Sequence, residues 1–519
     1  MMKKIVTLVL ALLMALSICA CGKADNADAS DEAEKEVIFG AAGGYFGAST
    51  RDPAVSWDGW YWSFMGVGET LFRLDEGYNA NPWLVESYEY VDDYTWVFQL
   101  RDDVTFHNGE KMTAESVKKS FEYMMETNSR GPETYKFKEM IADGQVLTII
   151  TETPTPALIN DLCDPLGVIQ YIGDGIDYAT ESYMTGPYYV TEFVAGEYCN
   201  ESRYEDYWGG AANVHKIQLL SYADQDAMAM ALQSEEIEVA VMPDSASVSL
   251  FADPELYTIS SAVSTRGEAI TFNLDSKFGG DLAVRTAVAY CMDREGYCAT
   301  MNGLFSPCYG LFPETLDYGG ISNLDVAVKD FDIEAAQKLL ADAGYADTDG
   351  DGIVEKDGQK LTLNFVYSSR YNEKVKFAEL LESNAKQAGI EIILIEGGDK
   401  TNEMVRNGEY DITTAGGGMA PTGNPQYYIN TQWMTGASNN NTGYSNPELD
   451  RLAAELEATF DPEKRLELTL KIEQLLMDDM FFIVHSNKQF YCVLASHITG
   501  FQAQPSEYYL IDNNFDTSK

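Results

Sequence analysis

The side chains best suited to chemistry are scarce in this 519-residue chain, and their spacing serves few reactions. His107, His215, His485 and His497 form no HxH, HxxxH or HExxH pattern, so no two imidazoles are placed by local structure on one metal ion. Each reads as a structural or surface histidine. The G-x-S-x-G and phosphate-loop patterns are missing, and no nucleophile stands beside its base. A triad dispersed in sequence stays open as an alternative. Asp347-Thr348-Asp349-Gly350-Asp351-Gly352 starts like a calcium loop, with acids at positions one, three and five and Gly at six. Position twelve is Gly358, where that loop needs a bidentate Glu. The continuation IVEKDGQKLTLNF reads as a turn into a strand, and the turn is the expectation ahead of a calcium site.

Cysteines follow the same pattern. Beyond the first 21 residues there are Cys163, Cys199, Cys291, Cys298, Cys308 and Cys492, with no CxxC among them. Cys291 and Cys298 lie seven apart in a stretch that reads as helical, hence about 10.5 Å apart and beyond disulfide reach. Buried free thiols are expected. Tyr and Trp are plentiful, at 32 and 7. Tyr45, Trp57, Trp60, Tyr61 and Trp62 form one group in polar, Gly-rich surroundings, and Tyr427, Tyr428, Trp433 and Tyr444 form another. Rings with an apolar body and a hydrogen-bonding edge suit a ligand cleft as well as a core.

The elements that would position these groups alternate along the chain. Thr95–Arg101 alternates, with Trp96, Phe98 and Leu100 on one face. Thr113, Asp332 and Asp461 each stand where a helix cap belongs, and Pro462 fits the first helical position. A helix over 373–388 stopped by Gly389, with a strand at Ile390–Ile395, makes a helix-to-strand unit. An α/β protein follows. Soft boundaries fall near Arg266–Asn273 and Phe481–Gln489. Acids outnumber bases 82 to 35, a net charge of −47. That excludes nucleic acid and electrostatic docking on anionic membrane, and it reads first as a solubility device. Hydrophobic content of 45% and aromatic content of 12% exclude a disordered acidic chain.

The start of the chain reads as an export signal. Lys3 and Lys4 precede an apolar run from Ile5 to Ala20, short for a membrane span. Ile18-Cys19-Ala20-Cys21-Gly22 resembles a bacterial lipoprotein signal, in which Cys21 becomes the lipidated N-terminus. An ordinary secretory signal is the alternative. Residues 1–20 are then a signal peptide, and 21–36 an acidic tether without aromatics. The body would sit outside the cytoplasmic membrane, held by lipid alone.

Several segments together resemble one family. They are Gly68-Glu69-Thr70-Leu71-Phe72, Pro82-Trp83-Leu84-Val85-Glu86-Ser87, the run Asp93–Gly109, Thr185-Gly186-Pro187-Tyr188, Tyr207-Trp208-Gly209, Val284-Arg285-Thr286-Ala287-Val288, Asp293-Arg294 and Gly443–Asp450. In this order they are similar to the family-5 extracytoplasmic solute-binding proteins of ABC importers, the peptide/nickel group. The resemblance implies a type II periplasmic-binding-protein-like fold, with two hinged lobes and an extra domain in the first. Lobe I would be 37–70 with 180–268 and 488–519, the extra domain 71–179, and lobe II 269–487. It implies ligand capture by lobe closure, an ABC permease and its ATPase as partners, a monomer, and neither catalysis nor a cofactor. The Asp93–Gly109 and Thr185–Tyr188 segments would be scaffold.

Peptide-binding members capture the amino terminus with an Asp in a lobe II loop. The corresponding Met419–Tyr428 has no acid, and Pro421 holds the place. This departs from the peptide pattern and sits closer to the nickel-type branch, where a small organic molecule wraps the metal. An Arg early in the extra domain holds the carboxylates there, and Arg130 falls at that place; Arg suits a carboxylate. The second-lobe His of some members has no counterpart between His215 and His485. The expected ligand is a metal chelate or a short peptide. Arg130, Tyr45, Trp57, Trp60, Tyr427, Tyr428, Trp433 and Tyr444 are the binding candidates, with no residue assigned to bare metal. From other classes, a secreted hydrolase, or a sensor or adhesin, are the alternatives.

Overall fold

A computed structural model describes residues 34–42 and 46–519. The expected signal, Cys21, most of the expected tether and Tyr45 lie outside these. Among the described residues no helix is long and apolar enough to cross a membrane.

The main sheet has eleven strands. In chain order they are β1 (Glu36–Ala42), β2 (Tyr188–Val194), β3 (Tyr198–Arg203), β4 (Lys216–Tyr222), β5 (Val239–Val241), β6 (Tyr257–Phe272), β7 (Phe305–Pro307), β8 (Thr362–Tyr367), β9 (Glu391–Glu396), β10 (Ile412–Gly418) and β11 (Phe482–Ala495). Their order across the sheet is β9-β8-β10-β6-β11-β5-β1-β4-β3-β2, with β7 added to β11. Pairs β1–β4, β1–β5, β8–β9 and β8–β10 are parallel. β6 and β11 are long and antiparallel, and they join two half-sheets. Tyr257–Val263 pairs with Gln489–Ala495 beside β5, whereas Gly267–Thr271 pairs with Phe482–Asn487 beside β10. Between these stretches the register shifts, so that Ser264, Thr265 and Arg266 bulge at the junction. The soft boundaries read near Arg266–Asn273 and Phe481–Gln489 thus fall on strands that pair with each other.

A separate four-stranded sheet runs Val85–Asp92, Thr95–Leu100, Val146–Thr151, Phe137–Asp143. Its core comes from the alternation read in the sequence, with Trp96, Phe98 and Leu100 buried. The helix Ala114–Thr127 lays Val117, Phe121 and Met124 on it. Thr113 caps that helix, its hydroxyl accepting from the Ser116 N–H at 3.2 Å. Asp332 and Asp461 cap Ile333–Asp342 and Pro462–Asp479 likewise. Rings also join this sheet to the far half: Tyr90 stacks on Phe460 at 4.3 Å, and the Lys136 ammonium meets Glu457 at 2.8 Å.

One local expectation needs correction. Cys291 and Cys298 do not share a helix. Leu282–Tyr290 ends at Cys291, and Asp293 starts Arg294–Thr300 by accepting from the Gly296 N–H at 2.8 Å. An Asp that competes for backbone donors interrupts the run. The six described cysteines are free and buried.

Glu473 is fully buried on the long helix, with one oxygen accepting from the Leu311 N–H at 3.0 Å. Burial pushes its carboxyl up to about 8. A raised pKa adds stability in full below the ordinary carboxylate range, and this is lost as pH rises through the folded value. Unfolding free energy measured in urea is expected to decline from about pH 5 to about pH 8. Glu473→Gln, which still accepts from Leu311, should flatten that decline. An equal decline in the variant would remove Glu473 as its source.

Candidate solute-binding cleft

A cavity of about 640 Å³ opens where β6 and β11 pass from one half-sheet to the other. Its floor is built by the strands themselves: Arg266 and Glu268 from β6, Lys488 and Tyr491 from β11, Gly416 and Gly417 from β10. The first half supplies Asp224 and Met242–Ser245 to one wall, and the far half supplies Arg370–Lys374 to the other. The first wall is fixed by its own bonds. Asp224 caps Gln225–Gln233, accepting from the Ala227 N–H at 2.7 Å, and the Gln225 amide donates to Met242 O at 2.9 Å. The Tyr491 hydroxyl donates to Pro243 O.

Two glycines shape the floor. Gly416 and Gly417 have φ of +125° and +128°, a region side chains avoid. A Cβ on Gly416 would stand 2.1 Å from Gly267 O, whereas one on Gly417 would meet nothing within 4 Å. Glu268, opposite Gly416 in the register, therefore has no side chain facing it from β10, while Ser486 stands opposite it on β11.

Charge lines this space. Lys488 pairs with Glu373 at 3.4 Å, and the Arg266 Nε donates to both Glu507 oxygens at 2.8 and 3.0 Å. Arg370 and Lys374 flank the ring of Tyr371, at 5.8 and 5.1 Å from its centre. Among the described residues neither forms an ion pair with an acid, in a chain where acids outnumber bases more than two to one. Glu268 is largely buried. Burial pushes its carboxyl up, against the pull of Lys374 and Lys488.

Trp60 connects this cavity to a second, of about 30 Å³. Its indole N–H donates to Glu507 O at 2.8 Å. In the smaller space the Arg130 guanidinium lies 3.7 Å over the Trp57 ring and donates to Asp164 at 3.3 Å. Trp57, Trp60 and Arg130 are thus brought together. Tyr427 is exposed. Tyr428, Trp433 and Tyr444 line neither cavity. They are buried, Trp433 against Phe312, Tyr428 and Phe482, and Tyr444 stacked on Phe481 at 3.9 Å with its hydroxyl on Asp479. Their sequence surroundings are polar and Gly-rich, and it is rings distant in sequence, Phe312, Phe481 and Phe482, that take them into the core. Glu268, Arg370 and Lys374 escaped the sequence reading. The run Gly416-Gly417-Gly418 ending a strand was the available signal.

The loop at Asp347 closes into the expected hairpin, Glu355–Lys356 on Gln359–Lys360. Its fourth carboxylate is Glu355, at position nine rather than twelve. The Asp347, Asp349, Asp351 and Glu355 oxygens approach within 4.8 Å of one another. Backbone N–H groups and the Lys360 ammonium occupy many of them.

The model of the bacterial extracellular solute-binding proteins, family 5 (middle), matches residues 79–440. The chain belongs to that family. This family-5 protein is therefore a solute-binding protein of an ABC importer. It is 26% identical over 451 residues to the nickel-binding protein NikA of Staphylococcus aureus, covering 86% of this chain and 88% of that one. It is 23% identical over 541 residues to the oligopeptide-binding protein AppA of Bacillus subtilis, covering 97% of each. The crystal structure of a nickel ABC transporter protein from Bacillus halodurans superposes with a TM-score of 0.81 at 28% identity, over 93% of this chain and 100% of that one. The two-lobed type II architecture expected from the sequence is the one found.

Four of the motif segments meet at one carboxylate. Glu69 Oε1 accepts from the Trp83 indole at 2.8 Å and the Tyr207 hydroxyl at 2.7 Å. Oε2 accepts from the Thr185 hydroxyl at 2.8 Å and the Trp208 indole at 3.1 Å. Gly186 sits so close to Gly66 O that a Cβ would approach within 2.3 Å. In this family-5 protein these motifs tie the four-stranded sheet to the main one and touch neither wall of the large cavity.

Proposed function

We propose that the chain captures a small carboxylate-bearing solute between the two half-sheets, a metal chelate of nickel type or a short peptide. Closure of the lobes about β6 and β11 would hold it, without chemical turnover, and present it to a permease and its ATPase. In this reading Cys21 carries the lipid that keeps the monomer at the outer face of the cytoplasmic membrane. Lobe I is then 37–70 with 180–268 and 488–519, the extra domain 71–179, and lobe II 269–487.

The observation that carries the reading is the 640 Å³ cavity with walls from both halves, whose Arg370 and Lys374 form no ion pair among the described residues. In a strongly acidic protein such cations suit an anionic group of the solute, and ligand contacts to both walls favour the closed state. Arg130, backed by Trp57 and only singly bonded to Asp164, offers a second carboxylate seat beside Trp60. Tyr427 stands exposed as a further contact. No His or Cys is among the cavity-lining residues, so a metal would arrive with its own ligands. The relatives named for nickel favour the chelate, and that named for oligopeptides the peptide.

Thermal unfolding of the purified protein against panels of metal chelates and short peptides tests this. At least one member should raise the melting temperature, since it binds only the native state. A flat response across both panels would refute the reading. Turnover of an ester, peptide or glycoside would favour the hydrolase instead. Arg130→Ala should weaken a carboxylate-bearing hit by about 1.5–3 kcal/mol, measured by calorimetry; unchanged affinity would return Arg130 to a surface role.

A further inference from the structure

We infer that Glu268, on the floor of the large cavity, is the seat for a positive centre of the solute, either an ammonium group or a chelated divalent metal ion. The inference rests on the solute-capture reading above and adds the ligand's second charge to it. Glu268 lies on β6, one residue past Gly267, between the bulge at 264–266 and a second register shift against β11 before Ala269. Its neighbour on β10 is Gly416, without a side chain, and its neighbour on β11 is Ser486, whose hydroxyl meets the His485 ring at 3.1 Å, so the open side of Glu268 is the cavity. Among the described residues no side chain donates a hydrogen bond to its carboxylate. Lys374, Lys488 and Arg266 are its cationic neighbours and Glu373 an acidic one, but Lys488 already meets Glu373 at 3.4 Å and the Arg266 Nε donates to Glu507 at 2.8 Å.

A largely buried carboxylate without a bonded donor is costly, and the cost is offset when a cation reaches it. A solute whose carboxylate turns to Arg370 and Lys374 would bring its other end over this floor. The amine-holding acid missing from Met419–Tyr428 is then replaced by one from the connecting strand. Glu268 would discriminate between solutes by refusing those that leave it unpaired.

The test uses the full chain and three probes: L-alanyl-L-alanine, its N-acetyl derivative, and nickel(II) with L-histidine. Expected is that the dipeptide or the nickel chelate binds, that Glu268→Gln weakens it roughly ten- to a hundredfold, and that Glu268→Asp, keeping the charge, recovers part of the loss. Whichever of these two probes responds identifies ammonium or metal as the positive centre. Comparable melting of Glu268→Gln and wild type excludes misfolding, and Glu268→Asp serves as the reporting variant if Gln does not fold. Binding unchanged by Glu268→Gln overturns the inference, as does an acetylated dipeptide binding as tightly as the free one. Hits confined to solutes without a positive centre overturn it while leaving solute capture intact. No hit in any panel overturns both.

Discussion

Glu69→Ala is expected to remove roughly 3–6 kcal/mol of stability, since four donors, two buried and two partly buried, lose their acceptor together. The two hydroxyls can turn elsewhere, but the indole N–H groups of Trp83 and Trp208 cannot. Glu69→Gln is the sharper test. Each oxygen of Glu69 takes one indole and one hydroxyl. Whichever oxygen becomes NH₂, an indole N–H faces another donor. A loss of about 2–3 kcal/mol is expected for this near-isosteric change, read as the urea unfolding free energy, with solute affinity of the folded fraction unaltered. A loss below about 0.5 kcal/mol, the ordinary scale of a surface change, would mean that Glu69 does not bind these segments together.

Gly416→Ala should be the most damaging change on the cavity floor. The methyl would collide with Gly267 O at 2.1 Å, on a backbone already at φ +125°. Positive-φ strain and overpacking together suggest a loss of about 2–5 kcal/mol. Gly417→Ala carries the strain without the collision, and about 1–2 kcal/mol is expected. Gly417 lines the cavity and its added methyl would meet nothing within 4 Å, so the methyl takes up open space at the cavity floor and affinity should fall more than stability does. The two variants differ by one position and should separate in thermal unfolding. Equal losses would show that the close approach of β6 and β10 is not what needs glycine at 416.

Local grammar was readable. Thr113, Asp332 and Asp461 announced their helices because a cap is decided within three or four residues. Trp96, Phe98 and Leu100 announced a strand because alternation is a property of the strand itself. The helix through Cys291 was misread because Asp293 acts through a single backbone bond that periodicity does not register. The motifs led to the family, but what they do depends on Glu69 meeting donors up to 139 positions away, and no spacing rule encodes that. The cleft was partly legible. Trp60 lines it, whereas Trp433 and Tyr444 are drawn into the core by ring partners distant in sequence, Phe312 and Phe481. Glu268 and Arg370 are ordinary charged residues in sequence. Only the folding of β6 beside β10, and of the 370–374 corner opposite, sets them around one space.

The pairing of β6 with β11 also bears on how such a molecule could be recombined. The chain leaves the first half-sheet along β6 and returns along β11, with Val263 opposite Gln489. The entire far half is thus an insertion within a hairpin, and its two ends emerge side by side. A short reverse turn in its place would leave the pairing of β5, β1, β4, β3 and β2 untouched. One wall of the cleft is therefore a cassette. It could be exchanged for a homologous one by two splices at neighbouring positions, changing specificity while leaving the first half-sheet where it is.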